Sequence, residues 1–271
     1  MVHSATLEPP REDARPSDVR DLLVLWQHPV TRSILPIGRL THSDDGSYAF
    51  AYTRLAADVE GLRPLPGLPD LRRRYETDHL PAVFRQRVME RSRADFGDYI
   101  RSLGLNPEHA TPWEQIVNSG GRRAGDTLQF MEVPSVEGGR AHARFLANGV
   151  RHVPGHRCVF VDRELSITAA QHEAALTSLE PGSTVHVEAE VANGHDQDAS
   201  LVTTDGIPVG WVPACLSRGF RELLALGPVT PTVTSVRGRD VPAHLRLVLD
   251  LDMKVPDGFT FDRDGIWEPI A

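Results

Sequence analysis

The chain has 271 residues, of which 40% are hydrophobic, with a net charge of −8 and two cysteines. That length suits two small domains with real cores, and two widely spaced cysteines exclude a disulfide framework or a C-x-x-C metal pair. An acidic balance excludes nonspecific coating of nucleic acid through a wide basic face. No run approaches the roughly 18 uncharged apolar residues of a membrane helix, and residues 1–18, rich in proline and charge, lack the apolar stretch of a signal peptide. A cytoplasmic protein with no membrane association is expected. Residues 149–271 hold 10 basic against 17 acidic groups and so carry most of the acidity, which requires any nucleic-acid contact there to be local and geometric. Lys254 is the sole lysine, so arginine supplies every other basic group, the mark of a GC-rich bacterial genome.

Residues 1–18 lack apolar periodicity and read as a disordered tail. DLLVLW, residues 21–26, is a short apolar strand. Asp45-Gly46 is a hairpin signal between strands over residues 37–40 and 48–52. After a Pro/Gly-rich loop, Phe84, Val88, Phe96, Ile100 and Leu103 recur at helical spacing, which predicts one amphipathic helix closed by Gly104. A second helix starts near Thr111-Pro112, with the proline early as helices prefer, and GGRRAGDTLQFMEVP returns to strand. The small, polar stretch from Pro134 to Asn148 is read as the domain boundary.

The second unit opens with GVRH, residues 149–152, and CVFVD, followed by a helix near residues 168–179. In STVHVEAEV, Val185, Val187, Ala189 and Val191 face one way and His186, Glu188 and Glu190 the other, a half-buried strand. Asp205-Gly206 joins LVTT to IPVGWV as a tight hairpin. A helix from Pro213 to Leu226 packs Leu216, Phe220, Leu223 and Leu224, with Gly227 as its cap. HLRLVLDLDM closes the pattern, with Leu245, Leu247, Leu249, Leu251 and Met253 alternating. Five or six short strands with two helices predict a strongly bent sheet or partly open barrel.

Catalytic signatures are absent: there is no G-x-S-x-G, no H-E-x-x-H and no phosphate loop, since GGRRAG lacks both the lysine and the strand–loop–helix setting. A cluster of Asn193, His195, Asp196 and Asp198 stands out. As a metal site it lacks a further His or Cys at suitable spacing. As an Asx-type turn it accounts for Asn193 and Asp198, whose side chains bond nearby backbone N–H groups, but the turn needs neither His195 nor Asp196. Asp250-x-Asp252-x-Lys254 fits the spacing of a metal-dependent nuclease, with carboxylates on Mg²⁺ and a lysine orienting water; the plainer reading is a charged outer strand face. Arg72-Arg73-Arg74 reads as a solvated basic face. Cys158 and Cys215 read as small buried apolar side chains.

Taken together, GVRH, the strand ending EAEV, NGHDQDA, and VGWVP followed by an amphipathic helix resemble a HIRAN domain over about residues 146–256. The resemblance implies a small barrel related to OB folds that binds single-stranded DNA, notably a free 3′ end. It puts Arg151 and His152 at positions that contact the terminal nucleotides, and His195 and Asp196 where the family commonly has Tyr and Asp, the Asp accepting from the 3′-hydroxyl. Trp211 falls at the aromatic position of the returning strand. His152 and His195 replace commoner tyrosines, Val153 stands where a second aromatic often lies, and Ala214 stands where a basic residue often does. More faintly, IGRLTHSDDGSYAFAY, LPAVFRQRVMERSR and GGRRAGDTLQFMEVP resemble the N-terminal subdomain of HipA-type kinases over about residues 21–134, without the kinase core.

The expected fold is α+β: the tail (1–18), a HipA N-terminal-like α+β domain (19–136), and a small OB/SH3-like, HIRAN-like β-barrel with two helices (146–271). The expected function is a non-catalytic adaptor in DNA repair or phage defence, with no cofactor or metal. Its partners would be single-stranded DNA or a 3′ end, through Arg151, His152, His195, Asp196 and Trp211, and a protein docked on the N-terminal domain. The alternatives are a protein-interaction module without nucleic-acid binding and, behind it, a nuclease using Asp250, Asp252 and Lys254.

Overall fold

The computed structural model describes residues 20–123 and 125–271; the tail expected over residues 1–18 lies outside them. Strands β1 (Asp21–Gln27), β2 (Ile34–His42), β3 (Tyr48–Tyr52), β4 (Tyr75–Thr77) and β5 (Leu128–Glu132) form an antiparallel sheet in the order β4-β3-β2-β1-β5. The Asp45-Gly46 hairpin forms as its sequence requires: Asp45 Oδ1 accepts the Ser47 N–H at 2.9 Å, and Gly46 takes a φ of 85°. Tyr52 pins the Pro/Gly-rich loop, its hydroxyl donating to the Leu68 carbonyl (2.8 Å) and accepting the Leu65 N–H (2.6 Å).

Three helices separate β4 from β5: α1 (Ala82–Arg85), α2 (Phe96–Ser102) and α3 (Pro112–Ser119). The single helix expected from Phe84 to Leu103 is thus two short ones. Its apolar residues serve different cores: Phe84 packs with Trp113 and Phe130, Phe96 and Ile100 with Ala110, and Leu103 with Val241 and Leu245. In the break, the Arg87 guanidinium bonds Asp126 and the Val83 carbonyl, and the Met89 N–H donates to Gln115 Oε1 at 2.8 Å. A non-helical insert that keeps the apolar phase is invisible to periodicity. α3 starts as expected, on a capping box between Thr111 and Glu114 with Pro112 next.

There follow β6 (Ser135–Glu137), β7 (Arg140–Leu146), β8 (Cys158–Val159), β9 (Glu164–Leu165), α4 (Ala169–Thr177), β10 (His186–Ala189), β11 (Ser200–Thr204), β12 (Ile207–Trp211), α5 (Ala214–Leu226), β13 (Thr232–Val236) and β14 (Leu247–Lys254). The stretch read as a boundary, residues 134–148, is therefore structured. β6 and β7 make a hairpin, and β7 pairs along its whole length with β14. Its alternation uses small residues, Ala141 and Ala143 with Phe145 inward, and so reads as polar and loop-like in sequence.

The α+β class holds. No barrel is closed by continuous ladders among the described residues: β13-β14-β7-β6 and β10-β11-β12 are separate sheets, and β8-β9 is a small third one. The two larger sheets meet at both margins through isolated bridges, Asn148 with Trp211 on one side, and Thr184 with Thr232 and Val187 with Val229 on the other. Ala143, Phe145, Val202, Val209, Leu247, Leu249 and Leu251 share one core with Phe220 of α5, whose ring meets Phe145 edge-on at 5.4 Å. Burying Phe220 fully stabilises by about 1.5–3 kcal/mol. Leu23, Leu25 and Met131 of the first sheet join this cluster. The final residues, expected to belong with the second unit, also run back to the first sheet: Ile270 N–H donates to Tyr52 O (2.9 Å) and Arg54 N–H to Glu268 O (2.9 Å).

Candidate nucleic-acid interface

Trp211 ends β12, which the Asp205-Gly206 turn pairs with β11; both turn residues have positive φ, 48° and 75°, as a tight two-residue hairpin needs. Trp211 and Asn148 exchange backbone hydrogen bonds at 2.9 and 2.8 Å. The next residue, Gly149, has a φ of 64°, and a Cβ there would lie 2.5 Å from Trp211 Cε3, so the indole rests directly on glycine backbone. A 3-10 turn, Val150–His152, then buries Val150 and leaves Arg151 and His152 exposed, with Arg151 Nε donating to His152 Nε2 at 3.0 Å. The GVRH and VGWVP segments, distant in sequence, thus make one patch.

The indole is anchored by a residue expected to face outward. Trp211 Nε1 donates to Glu190 Oε2 at 2.7 Å, Asn193 Nδ2 donates to the same oxygen at 2.6 Å, and His156 Nε2 lies 2.8 Å from Oε1. Glu190 is 1% exposed while Val191 is 50% exposed, because the strand alternation stops at Ala189 and inverts the pair. A buried carboxylate persists only with donors around it, and three converge here. The His156 ring packs edge-on against Trp211 at 5.3 Å. Cys158 is buried beside the carboxylate; burial, and then the Glu190 charge, pushes its thiol up to about 12, so it keeps its proton unless a bound cation displaces it. Sequence reasoning missed this hub of His156, Cys158 and Glu190, although a glutamate three residues before Asn193, whose amide can donate back to it, was a usable signal.

The turn at Asn193 carries the remaining candidates. Asn193 Oδ1 accepts the N–H groups of His195 (2.9 Å) and Asp196 (3.1 Å), and Asp196 Oδ1 accepts the Asp198 N–H (2.9 Å). The turn expected from Asn193 and Asp198 is therefore built by the side chains of Asn193 and Asp196, with Asp198 contributing its backbone donor. Asp196 spends one oxygen on the turn, and the His195 side chain is exposed. Through Asn193 the turn is tied to Glu190 and so to Trp211.

A buried cation, Arg122, and a neutral histidine, His244, lie beside this patch. Arg122, in the GGRRAG loop before β5, donates from Nε to Gln129 Oε1 and from Nη2 to Asn148 Oδ1 (2.7 Å), and burial holds its guanidinium below its ordinary pKa. Among the described residues no carboxylate pairs with it in a salt bridge, and it lines a cavity of about 40 Å³ with Asn148, Gln129 and Cys215. Burial pushes the Cys215 thiol up to about 12, with Arg122 and Asp196 acting on it in opposite senses. His244 is pushed down to about 4 by burial and then by the charges of Arg122 and Arg151.

Asp250, Asp252 and Lys254 stand opposite Arg144, His142 and Arg140 across β14 and β7. Asp252 accepts from Arg140 Nε at 2.6 Å, which holds it below the usual carboxylate range, while burial raises Asp250. That is a cross-strand charged face. Arg72, Arg73 and Arg74 are exposed, Arg74 pairing with Glu76 at 3.1 Å and Arg73 lying over Tyr75.

No protein-family model matches the chain, and no curated protein matches it. A crystal structure of a structural-genomics target from Lactobacillus plantarum is similar over 42% of this chain and 96% of its own, at 21% identity and a TM-score of 0.30. Among the described residues no helix is long and apolar enough to cross a membrane.

Proposed function

We propose that the second unit is a HIRAN-like module, an OB-like barrel joined at its seams by isolated bridges, that receives the 3′ end of single-stranded DNA. The observation that carries the reading is the junction at Asn148-Gly149, which seats the Trp211 ring on Gly149 directly before the exposed Arg151 and His152, while Glu190 and Asn193 tie Asp196 to the same patch. A flat ring offers a stacking surface to a splayed base, Arg151 offers a fork of donors to a phosphate, and the Asp196 carboxylate accepts from a terminal hydroxyl that an internal phosphodiester lacks. Arg122 extends the positive side of the patch, with a neutral His244 beside it, which suits an acidic protein that grips an end rather than a length of strand. The first sheet with its helices is the docking unit for a protein partner.

Fluorescence anisotropy with oligonucleotides ending in 3′-hydroxyl, ending in 3′-phosphate, or circularised tests this. One hydrogen bond to a charged acceptor is worth about 1.5–3 kcal/mol, so the 3′-hydroxyl should be preferred roughly tenfold to a hundredfold, and Asp196→Ala should erase the preference. Equal affinity for all three, unchanged in Asp196→Ala, would remove the end-recognition reading. Absence of any binding, in low salt as well as high, would leave protein docking as the function of the whole chain.

A further inference from the structure

We infer that His156, Cys158 and Glu190 form a binding site for one zinc-class divalent metal ion beneath Trp211. One nitrogen, one sulfur and one carboxylate oxygen from these residues lie within 4.8 Å of one another, the one such group of three found among the described residues. The topology explains the convergence. His156 leaves a turn closed on the Val153 carbonyl two residues before Cys158 opens β8, and both bring a ligand atom to Glu190. Glu190 arrives on the neighbouring segment, where the Val191 N–H donates to Val159 O at 2.8 Å.

The donor set is chemically selective. Imidazole, thiolate and carboxylate together suit a borderline ion such as Zn²⁺, whereas Mg²⁺ and Ca²⁺ take oxygen shells. The two oxygens of Glu190 are also divided in the manner of a ligating carboxylate. Oε2 takes both fixed donors, the Trp211 indole and the Asn193 amide, and neither donor can itself ligate. Oε1 is left on the side of His156 Nε2, where a metal would replace the proton between them. Outer-shell bonds of this kind orient ligands and are a regular part of metal sites. Cys158 and Glu190 are each 1% exposed, but the His156 side chain is 39% exposed, so the cluster opens on one side. Three protein ligands with one open position describe a site completed by water. This departs from the sequence expectation of no metal, which rests on His195, Asp196 and Asp198; those residues lie in the turn that Asn193 and Asp196 close. The inference stands independently of DNA binding.

The test is metal titration of the full chain, freed of any affinity histidines and stripped with chelator. Zn²⁺ should bind with one equivalent per chain by calorimetry. Co²⁺ in its place should show a thiolate-to-metal charge-transfer band, lost in Cys158→Ser, lost or shifted in His156→Gln and retained in Cys215→Ser. No uptake of either ion, uptake without the band, or a band that survives Cys158→Ser would overturn the assignment and leave the three residues as a hydrogen-bonded hub alone. If Cys158→Ser does not fold, the wild-type band, its retention in Cys215→Ser and its response to His156→Gln decide the matter.

Discussion

Replacing Glu190 separates the structural from the electrostatic share of the interface. Glu190→Ala removes one acceptor for three donors, at 2.8, 2.6 and 2.7 Å, from a position 1% exposed. Each donor left buried and unpaired costs about 1–3 kcal/mol. Since the His156 side chain reaches water and recovers part of its bond, the expected loss is about 3–5 kcal/mol. At about 2–4 °C per kcal/mol for a chain of this size, the melting midpoint should fall by roughly 6–20 °C. Glu190→Gln should behave differently. Its carbonyl can occupy the Oε2 position and keep Asn193 and Trp211, while its amide donates to a neutral His156 Nε2. The cost should then be about 1 kcal/mol, and the metal ligand is lost while the platform stays. Thermal denaturation followed by circular dichroism measures both variants, and the Trp211 indole N–H resonance reports whether the ring stays anchored. If Glu190→Gln is as damaging as Glu190→Ala, or if Glu190→Ala lowers stability by less than about 1 kcal/mol, the hub does not hold the interface together.

Gly149→Ala puts a methyl group into the Trp211 ring at a residue with positive φ, whereas Gly155→Ala meets open space at a φ of 78°; melting curves should show about 1–3 kcal/mol more loss for the former, with weaker oligonucleotide binding. His244 has a folded pKa lowered to about 4 against an ordinary value of 6.5, so its neutral form stabilises the fold above pH 6.5 and that contribution fades as pH falls towards 4. DNA phosphate beside it would favour the protonated form, so affinity should rise as pH falls through this window, and His244→Leu should abolish the rise in anisotropy titrations. Glu173 receives a bidentate Arg246 at 2.7 and 2.8 Å, and these bonds lower its pKa; its contribution is present above the unfolded carboxylate value and lost as pH falls through the folded one. Glu173→Gln should therefore melt below wild type at pH 7, by about 1–3 kcal/mol, with the gap closing towards pH 3 in a pH series of thermal scans.

What was legible in the sequence was what is decided locally. Asp45-Gly46 and Asp205-Gly206 specify hairpins because both need backbone that glycine supplies cheaply, and Thr111-Pro112 starts α3 through a cap that spans three residues. The patch of Arg151, His152 and Trp211 was legible only through the resemblance, since nothing local says that Gly149 will lie under an indole. Three features stayed hidden for physical reasons. The helical phase of Phe84 to Leu103 survives a non-helical insert; Ala141 and Ala143 mark a buried strand too weakly to outweigh the glycines beside it. The third is Glu190, which breaks the outward alternation of its strand because a tryptophan and a histidine from two other segments, and an asparagine from the turn that follows it, meet it. Arg122 was weighed only as part of a failed phosphate loop, and its place beside Asn148 is a tertiary fact.

The pairing of residues 268–270 with Tyr52 and Arg54 bears on the order of folding during synthesis. The ribosome makes β1 to β5 early, yet the margin of their sheet beyond β4 is covered only when residues 266–270 emerge. Until then Tyr52, Arg54 and Leu55 hold open backbone groups that later pair with that segment. A nascent chain halted before that point would present a nearly complete sheet with one sticky margin, the state in which a chaperone, or another copy, would find it most accessible.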